Sequence, residues 1–254
     1  INVKEYFEDV NLTQKDFYNL LENEAEISTS QPSIGQVVDL WESLLKDYKQ
    51  IVHIPMSSAL SQTCETAQNF AKDYEGKVFV VDNKRISVTL KQSMEDALKL
   101  IDRGLSGEEI KDYLEKTSLD SSIYIMVDTL KYLKRGGPAA AAIGTLLKIK
   151  PVLQIQGGKL DSFAKVMNDK VARAKMISAI KKDLETRFKE FKEKGEMELA
   201  IAYTNCQEKA EDFARQVREE IPDVELKFIE PLSLSISCHI GPGALAVVAT
   251  RVVR

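Results

Sequence analysis

Two hydroxyl-rich segments hold the side chains best suited to chemistry. They are Thr29-Ser30-Gln31-Pro32-Ser33 and Ser57-Ser58-Ala59-Leu60-Ser61-Gln62-Thr63. Each runs into an amphipathic helical pattern. A helix start offers unpaired N–H groups and a partial positive charge, and hydroxyls beside it complete an anion-sized pocket. Neither segment has a glycine-rich loop or a neighbouring lysine. The expected anion is therefore small, such as a carboxylate, and not a nucleoside triphosphate. A third group comes from the far end of the chain, where His239 precedes Gly241-Pro242-Gly243. Glycines there allow close backbone approach, and a histidine can donate to a carboxylate.

Each residue also has a plainer role. Ser61 has the residue type of a helix N-cap, Thr29 of a loop threonine before a proline turn, and His239 of a loop histidine satisfied by backbone. Ser61 and His239 have the residue types of a nucleophile and a base, so a serine hydrolase or acyltransferase stays open. No Gly-x-Ser-x-Gly elbow supports it. Asp82 and Asp128 stand at predicted strand ends and are the candidate orienting acids. A binding module for a non-lipid anion also stays open. Arg135, ahead of Gly136-Gly137, fits either a helix C-terminal cation or a contact to a partner or head group. Gly241-Pro242-Gly243-Ala244-Leu245-Ala246 matches Gly-x-Gly-x-x-Ala, but a strand is expected next, which excludes a dinucleotide site.

Alternating patterns must position these groups. Thr13 is a predicted N-cap with Leu12 and Phe17 at staple positions, giving a helix over 14–22. Helices at 34–49, 62–74 and 87–103 alternate with strands at 51–55, 77–81 and 122–127. Ser106-Gly107-Glu108-Glu109 reads as a capping box for a helix to 116. This order predicts parallel pairing with helices on both faces and a ligand beyond the strand ends. Both hydroxyl segments are then expected at adjacent strand ends of one sheet. Residues 128–134 and 138–147 read as helices around the breaker Arg135-Gly136-Gly137-Pro138. Gly157-Gly158 predicts a hairpin between 149–155 and 159–166. A charged, solvated helix over 169–194 follows, then strand 198–204, helix 207–219 and strands 224–229 and 244–252. The expected organisation is α/β in two domains. Residues 1–127 form a parallel-sheet domain, and residues 128–254 a second α/β domain with a mixed or antiparallel sheet.

Bulk properties narrow the classes. The 254 residues are 44% hydrophobic and 29% charged, as in globular proteins. The net charge of −4 gives nucleic-acid binding no electrostatic support. No apolar run approaches a membrane span, so no stable membrane insertion is expected. The three cysteines form no CxxC pair, and with two histidines they offer no metal set or cofactor site; the expected compartment is the cytoplasm.

The motifs together resemble the DegV family, bacterial fatty-acid-binding proteins that serve fatty acid kinase. The matching residues are the two hydroxyl segments; Val80-Val81-Asp82; Leu133-Lys134-Arg135-Gly136-Gly137; Gly144-Thr145-Leu146-Leu147-Lys148-Ile149-Lys150-Pro151; Phe163-Ala164-Lys165-Val166; and His239-Ile240-Gly241-Pro242-Gly243-Ala244. The resemblance implies two α/β domains around one long-chain fatty acid. It implies a carboxylate held by Thr29, Ser61 and His239, with Ser30, Ser58, Gly241 and Gly243 supporting the pocket. The implied partner is an ATP-binding kinase subunit that makes acyl phosphate for phospholipid synthesis. The chain itself would then be a carrier with no catalytic residue. Relative to the family, Ile1 follows an absent strand and helix, and Pro138 comes directly after the double glycine. Gln62 replaces a common glycine, and Met167 a common arginine.

Overall fold

The computed structural model describes residues 1–129, 131–132 and 150–254. The chain divides into two compact units, both interleaved in sequence. The large unit contains Ile1–Thr29, Ser122–Ile155 and Leu160–Ala249; the small unit contains Ser30–Ser121, Gln156–Lys159 and Thr250–Arg254. This division differs from a single cut after residue 127.

In the small unit, α2 (Ile34–Leu44), β1 (Ile51–His53), α3 (Thr63–Ala71), β2 (Val78–Val80), α4 (Val88–Asp102) and α5 (Gly107–Lys116) follow one another; α1 belongs to the large unit. β1 and β2 pair in parallel, with Val52 opposite Phe79. β1 is shorter than the expected 51–55 strand. Pro55 has no N–H to donate, which favours an early end. α2 stops at Leu44, where i+3 bonds from Lys46 to Ser43 and from Asp47 to Leu44 close turns in place of the expected helix to 49. α3 tightens after Ala71 into a 3₁₀ turn, Lys72–Tyr74. The Ser106–Glu109 capping box is formed in both directions, which fixes the start of α5. Trp41, Cys64, Ala67, Val78 and Val80 make one core cluster, and Val81, Ala97, Leu100, Ile110 and Leu114 make another.

In the large unit, α1 (Gln14–Glu22) begins at Thr13, whose hydroxyl accepts from the Asp16 N–H. Six strands form one mixed sheet: β3 (Ser121–Met126), β4 (Lys150–Gln156), β5 (Lys159–Val166), β6 (Met197–Tyr203), β7 (Leu226–Pro231) and β8 (Leu245–Arg251). Their order is β5-β4-β3-β8-β6-β7. β3 and β4 are antiparallel, whereas β6 and β7 are parallel. β3 therefore joins this sheet and not β1 and β2. Every residue of β3 and β6 is buried, as expected for inner lanes of a sheet covered on both faces. Gly157 and Gly158, both at positive φ, make the turn between β4 and β5.

Two helices cover this sheet in sequence order: α6 (Asp169–Glu185), followed by the short α7 (Lys189–Glu193), and α8 (Gln207–Glu220). The expected single helix over 169–194 breaks at Thr186. The Thr186 hydroxyl turns back to the Lys182 carbonyl, and Phe188 inserts into the core with 2% exposure. α6 is only partly solvated, since Ala172, Met176, Ile177 and Ile180 pack against the sheet. A final helix, α9 (Leu234–Ile240), precedes β8. Of the expected 128–134 helix, Asp128 lies in a bend, Thr129 has no regular structure, and Lys131 and Tyr132 lie in a turn. The rest of it, Arg135 and the 138–147 helix lie outside the described residues.

Candidate functional site

Thr29 ends a segment pinned by alternate burial of Ala25 and Ile27. Asn2 holds the same segment on both sides of Glu26: its N–H donates to the Glu26 carbonyl and its side-chain oxygen accepts the Glu26 N–H. No strand runs into Thr29, so the expected site at two adjacent strand ends is not formed. The threonine hydroxyl instead lies 3.1 Å from Nε2 of His239. His239 occupies the last turn of α9 and is not a loop residue.

α9 has few intrinsic reasons to be helical, because Ser233 gives it no side-chain cap. Neighbours fix it. The Leu234 N–H donates to Glu8 Oε1 at 2.7 Å, and the buried Tyr18 hydroxyl donates to Ser237 Oγ at 2.9 Å. Burial pushes the Tyr18 phenol up to about 12, so this donor keeps its proton. Gly241 ends the helix at φ +75°, and a Cβ there would stand 2.1 Å from the Tyr132 ring. Gly243, at φ +82°, has Asp128 Cβ 3.1 Å from such an added atom. Thr204 stitches the intervening loop. Its hydroxyl donates to the Gly241 carbonyl and accepts from the Ala244 N–H, and its carbonyl accepts from the Gly243 N–H. The two glycines thus serve the backbone of the loop that follows His239.

His239 is half-buried, and burial alone holds its imidazole below the usual histidine range. The ring is neutral at pH 7. Nδ1 is buried and has no hydrogen-bond partner among the described residues. A neutral ring whose Nδ1 lacks an acceptor favours the proton on Nε2, beside the exposed Thr29 hydroxyl. Nε2–H then donates to Thr29 Oγ1, and the Thr29 O–H is left for an incoming acceptor.

In the small unit, Ser61 is not the N-cap of α3. That position is Gln62, which makes no side-chain cap bond. Ser61 Oγ accepts the Thr63 N–H at 3.2 Å and shares a hydrogen bond with the Thr63 hydroxyl at 2.9 Å. Among the described residues of this unit, no base or carboxylate bonds to Ser61, so the hydrolase arrangement gains no local support. Ser58 is engaged as well, donating to Asp82 Oδ2 at 2.6 Å while Lys84 pairs with the same carboxylate. Burial pushes the Asp82 carboxyl up, but Lys84 and Ser58 outweigh it and hold it below its usual range. Ser30 is exposed. Gln31, from the first hydroxyl segment, accepts from Thr66 on α3 at 3.1 Å. No group of histidine, cysteine and carboxylate side chains among the described residues could hold a metal ion.

The profile of a family described as an uncharacterised protein family, DegV, matches residues 1–252. The chain belongs to the DegV family. A DegV domain-containing protein of Clostridium perfringens is similar at 32% identity over 258 residues, covering 97% of this chain and 86% of that protein. The crystal structure of Bacillus subtilis DegV, described as a fatty acid binding protein, is 30% identical with a TM-score of 0.83, covering 97% of this chain and 86% of that one. A DegV family protein of Thermus thermophilus, described by its fatty acid binding, is 26% identical with a TM-score of 0.82, covering 96% and 86%.

In this DegV chain the interval from Thr29 to His239 is bridged inside one unit, whereas Arg135 falls outside the described residues. Met167 is 70% exposed. Sequence reasoning passed over Tyr18, Thr204 and Tyr132, which hold α9 and its loop. Only the buried polar character of Thr204, between strand β6 and helix α8, hinted at a loop contact.

Proposed function

We propose that this chain is a fatty-acid-binding carrier whose Thr29 and His239 hold the carboxylate. The observation that carries the reading is the 3.1 Å approach of the Thr29 hydroxyl to His239 Nε2, on an exposed edge of a neutral imidazole. A carboxylate that displaces this mutual hydrogen bond would receive the Thr29 O–H on one oxygen and the His239 N–H on the other. Hydrogen bonds to a charged acceptor contribute about 1.5–3 kcal/mol each, enough to orient a head group. Affinity comes mainly from the hydrocarbon. Burying 14–16 methylenes at about 0.8 kcal/mol each yields roughly 11–13 kcal/mol before the costs of ordering and association. The solved relatives from B. subtilis and T. thermophilus are described as fatty acid binders, which supports the same ligand class here.

The family resemblance adds the Ser61 hydroxyl as a further donor to the carboxylate, with Ser30 and Ser58 nearby in sequence. It also assigns a role: the bound carboxylate is presented to a separate ATP-dependent kinase subunit, giving acyl phosphate for phospholipid synthesis in the cytoplasm. Holding the head group would supply proximity that a dispersed lipid lacks. Arg135 is the candidate contact to that partner or to the head group.

Mass spectrometry of an organic extract of the purified protein tests the first claim, with about one long-chain fatty acid per chain expected. The second claim is tested by adding kinase subunit and ATP. Undiminished acyl-phosphate formation by a Ser61→Ala, His239→Ala double variant would refute the head-group assignment.

A further inference from the structure

A separate cleft lies wholly within the small unit. Val37, Val38 and Trp41 reach it from α2, Ala67 and Phe70 from α3, and His53 from β1. It holds about 370 Å³ of space, its open mouth included. The Gln31–Thr66 hydrogen bond ties the segment before α2 to α3 along its edge. Trp41 is buried, and the His53 ring stands edge-on to it with centroids 5.5 Å apart. Phe70 and Ile34, also in the lining, remain 38% and 37% exposed, so apolar surface is left facing water.

The chemistry of the lining selects its occupant. No lining side chain carries a formal charge at pH 7, because burial keeps His53 neutral. An ion entering would lose hydration with no opposite charge to offset it. Hydrocarbon, in contrast, gains about 25 cal/mol for each Å² it removes from water. Gln31, Thr63, Thr66 and His53 leave room for one polar contact. Nδ1 of His53 is itself buried without a hydrogen-bond partner among the described residues. Because that space includes the open mouth, the enclosed part admits only a small molecule.

We propose that the α2–α3 cleft binds a small, uncharged, mostly hydrocarbon ligand with a single hydrogen-bonding group, a medium-chain alcohol being the simplest member of the class. This proposal does not rest on the fatty-acid reading.

Trp41 is the only tryptophan of the chain, so its fluorescence reports on this cleft alone. The intact protein is titrated with 1-octanol and, separately, with octanoate at pH 8. The alcohol should produce a saturable change below its solubility limit, and octanoate should act at least tenfold more weakly. Ala67→Leu, which fills the cleft, should weaken the octanol response at least tenfold. Phe70→Ala, at the half-exposed rim, is the second variant should Ala67→Leu fail to fold, and should weaken the response severalfold. A linear, non-saturating change, an octanoate response equal to that of octanol, or an unaltered response in the folded variants would each overturn the proposal.

Discussion

Thr29 and His239 make a side-chain hydrogen bond of 3.1 Å across 210 residues of sequence. The contact depends on two unrelated supports, the Asn2 bonds beside Thr29 and the Tyr18–Ser237 bond beneath α9. Removing the hydroxyl while keeping shape is therefore a clean probe. Thr29→Val is expected to weaken decanoate binding about 10- to 100-fold, the range for one hydrogen bond to a charged acceptor. Calorimetric titration of variant and parent measures it; equal affinities would remove Thr29 from the head-group site.

The histidines set an acid limit on stability. Burial depresses both His53 and His239 below the ordinary histidine value of 6.5. Each therefore binds fewer protons folded than unfolded near that pH. Their contribution is complete above about pH 6.5 and is lost as pH falls through the depressed folded values. Urea unfolding midpoints should decline below pH 6.5, and less steeply in a His53→Gln, His239→Gln double variant. A double variant with the parent's slope would assign the decline to other groups.

Two glycines should respond oppositely to alanine. At Gly241 the positive φ and the Tyr132 ring at 2.1 Å leave no room, so Gly241→Ala should cost about 2–4 kcal/mol. At Gly35, inside α2, an added Cβ meets nothing within 4 Å, and Gly35→Ala should stabilise by about 0.4–1 kcal/mol. Denaturant melts of the two variants separate these outcomes.

Arg85 is 2% exposed and donates to Ser93 Oγ and to the Thr117 carbonyl. Burial lowers its pKa, with the charges of Asp96 and Asp120 acting the other way. Asp96 in turn accepts the Val253 N–H at 2.9 Å. Arg85→Ala would take the donor from the buried Thr117 carbonyl, leave a cavity and weaken the charge balance of Asp96, and a loss of about 3–5 kcal/mol is expected. A shift below 1 kcal/mol in chemical denaturation would mean that Asp96 is balanced by other groups.

Local signals were legible where one turn of chain contains its own partners. The Ser106–Glu109 box, the Thr13 cap and the Gly157-Gly158 turn are all of this kind. The sheet assignment of β3 was not, because a fully buried run has no alternation to reveal its neighbours. α9 was missed because seven residues without a side-chain cap are too short to show a period. Phe188 concealed the break after α6, since the charged residues around it continue a helical pattern. Of the site, the residue types were visible, but the Thr29–His239 contact joins segments with no shared local pattern. The cap of α3 was expected one position too early, at Ser61, because α3 starts at Thr63 and Gln62 takes the N-cap position without a side-chain bond.

The position of β8 has a consequence for synthesis. It follows β3 and β6 in sequence, yet it lies between them in the middle of the large sheet. The chain also passes between the two units five times, the final passage at residue 249. Until residues 245–253 have been made, β3 and β6 border an empty lane and the small unit lacks the segment that Asp96 holds. Closure of the large sheet thereby waits for synthesis to pass its other five strands, and a ribosome-stalled chain ending before residue 245 should stay protease-sensitive along β3 and β6. For the cell, a copy cut short before β8 is substrate for quality control.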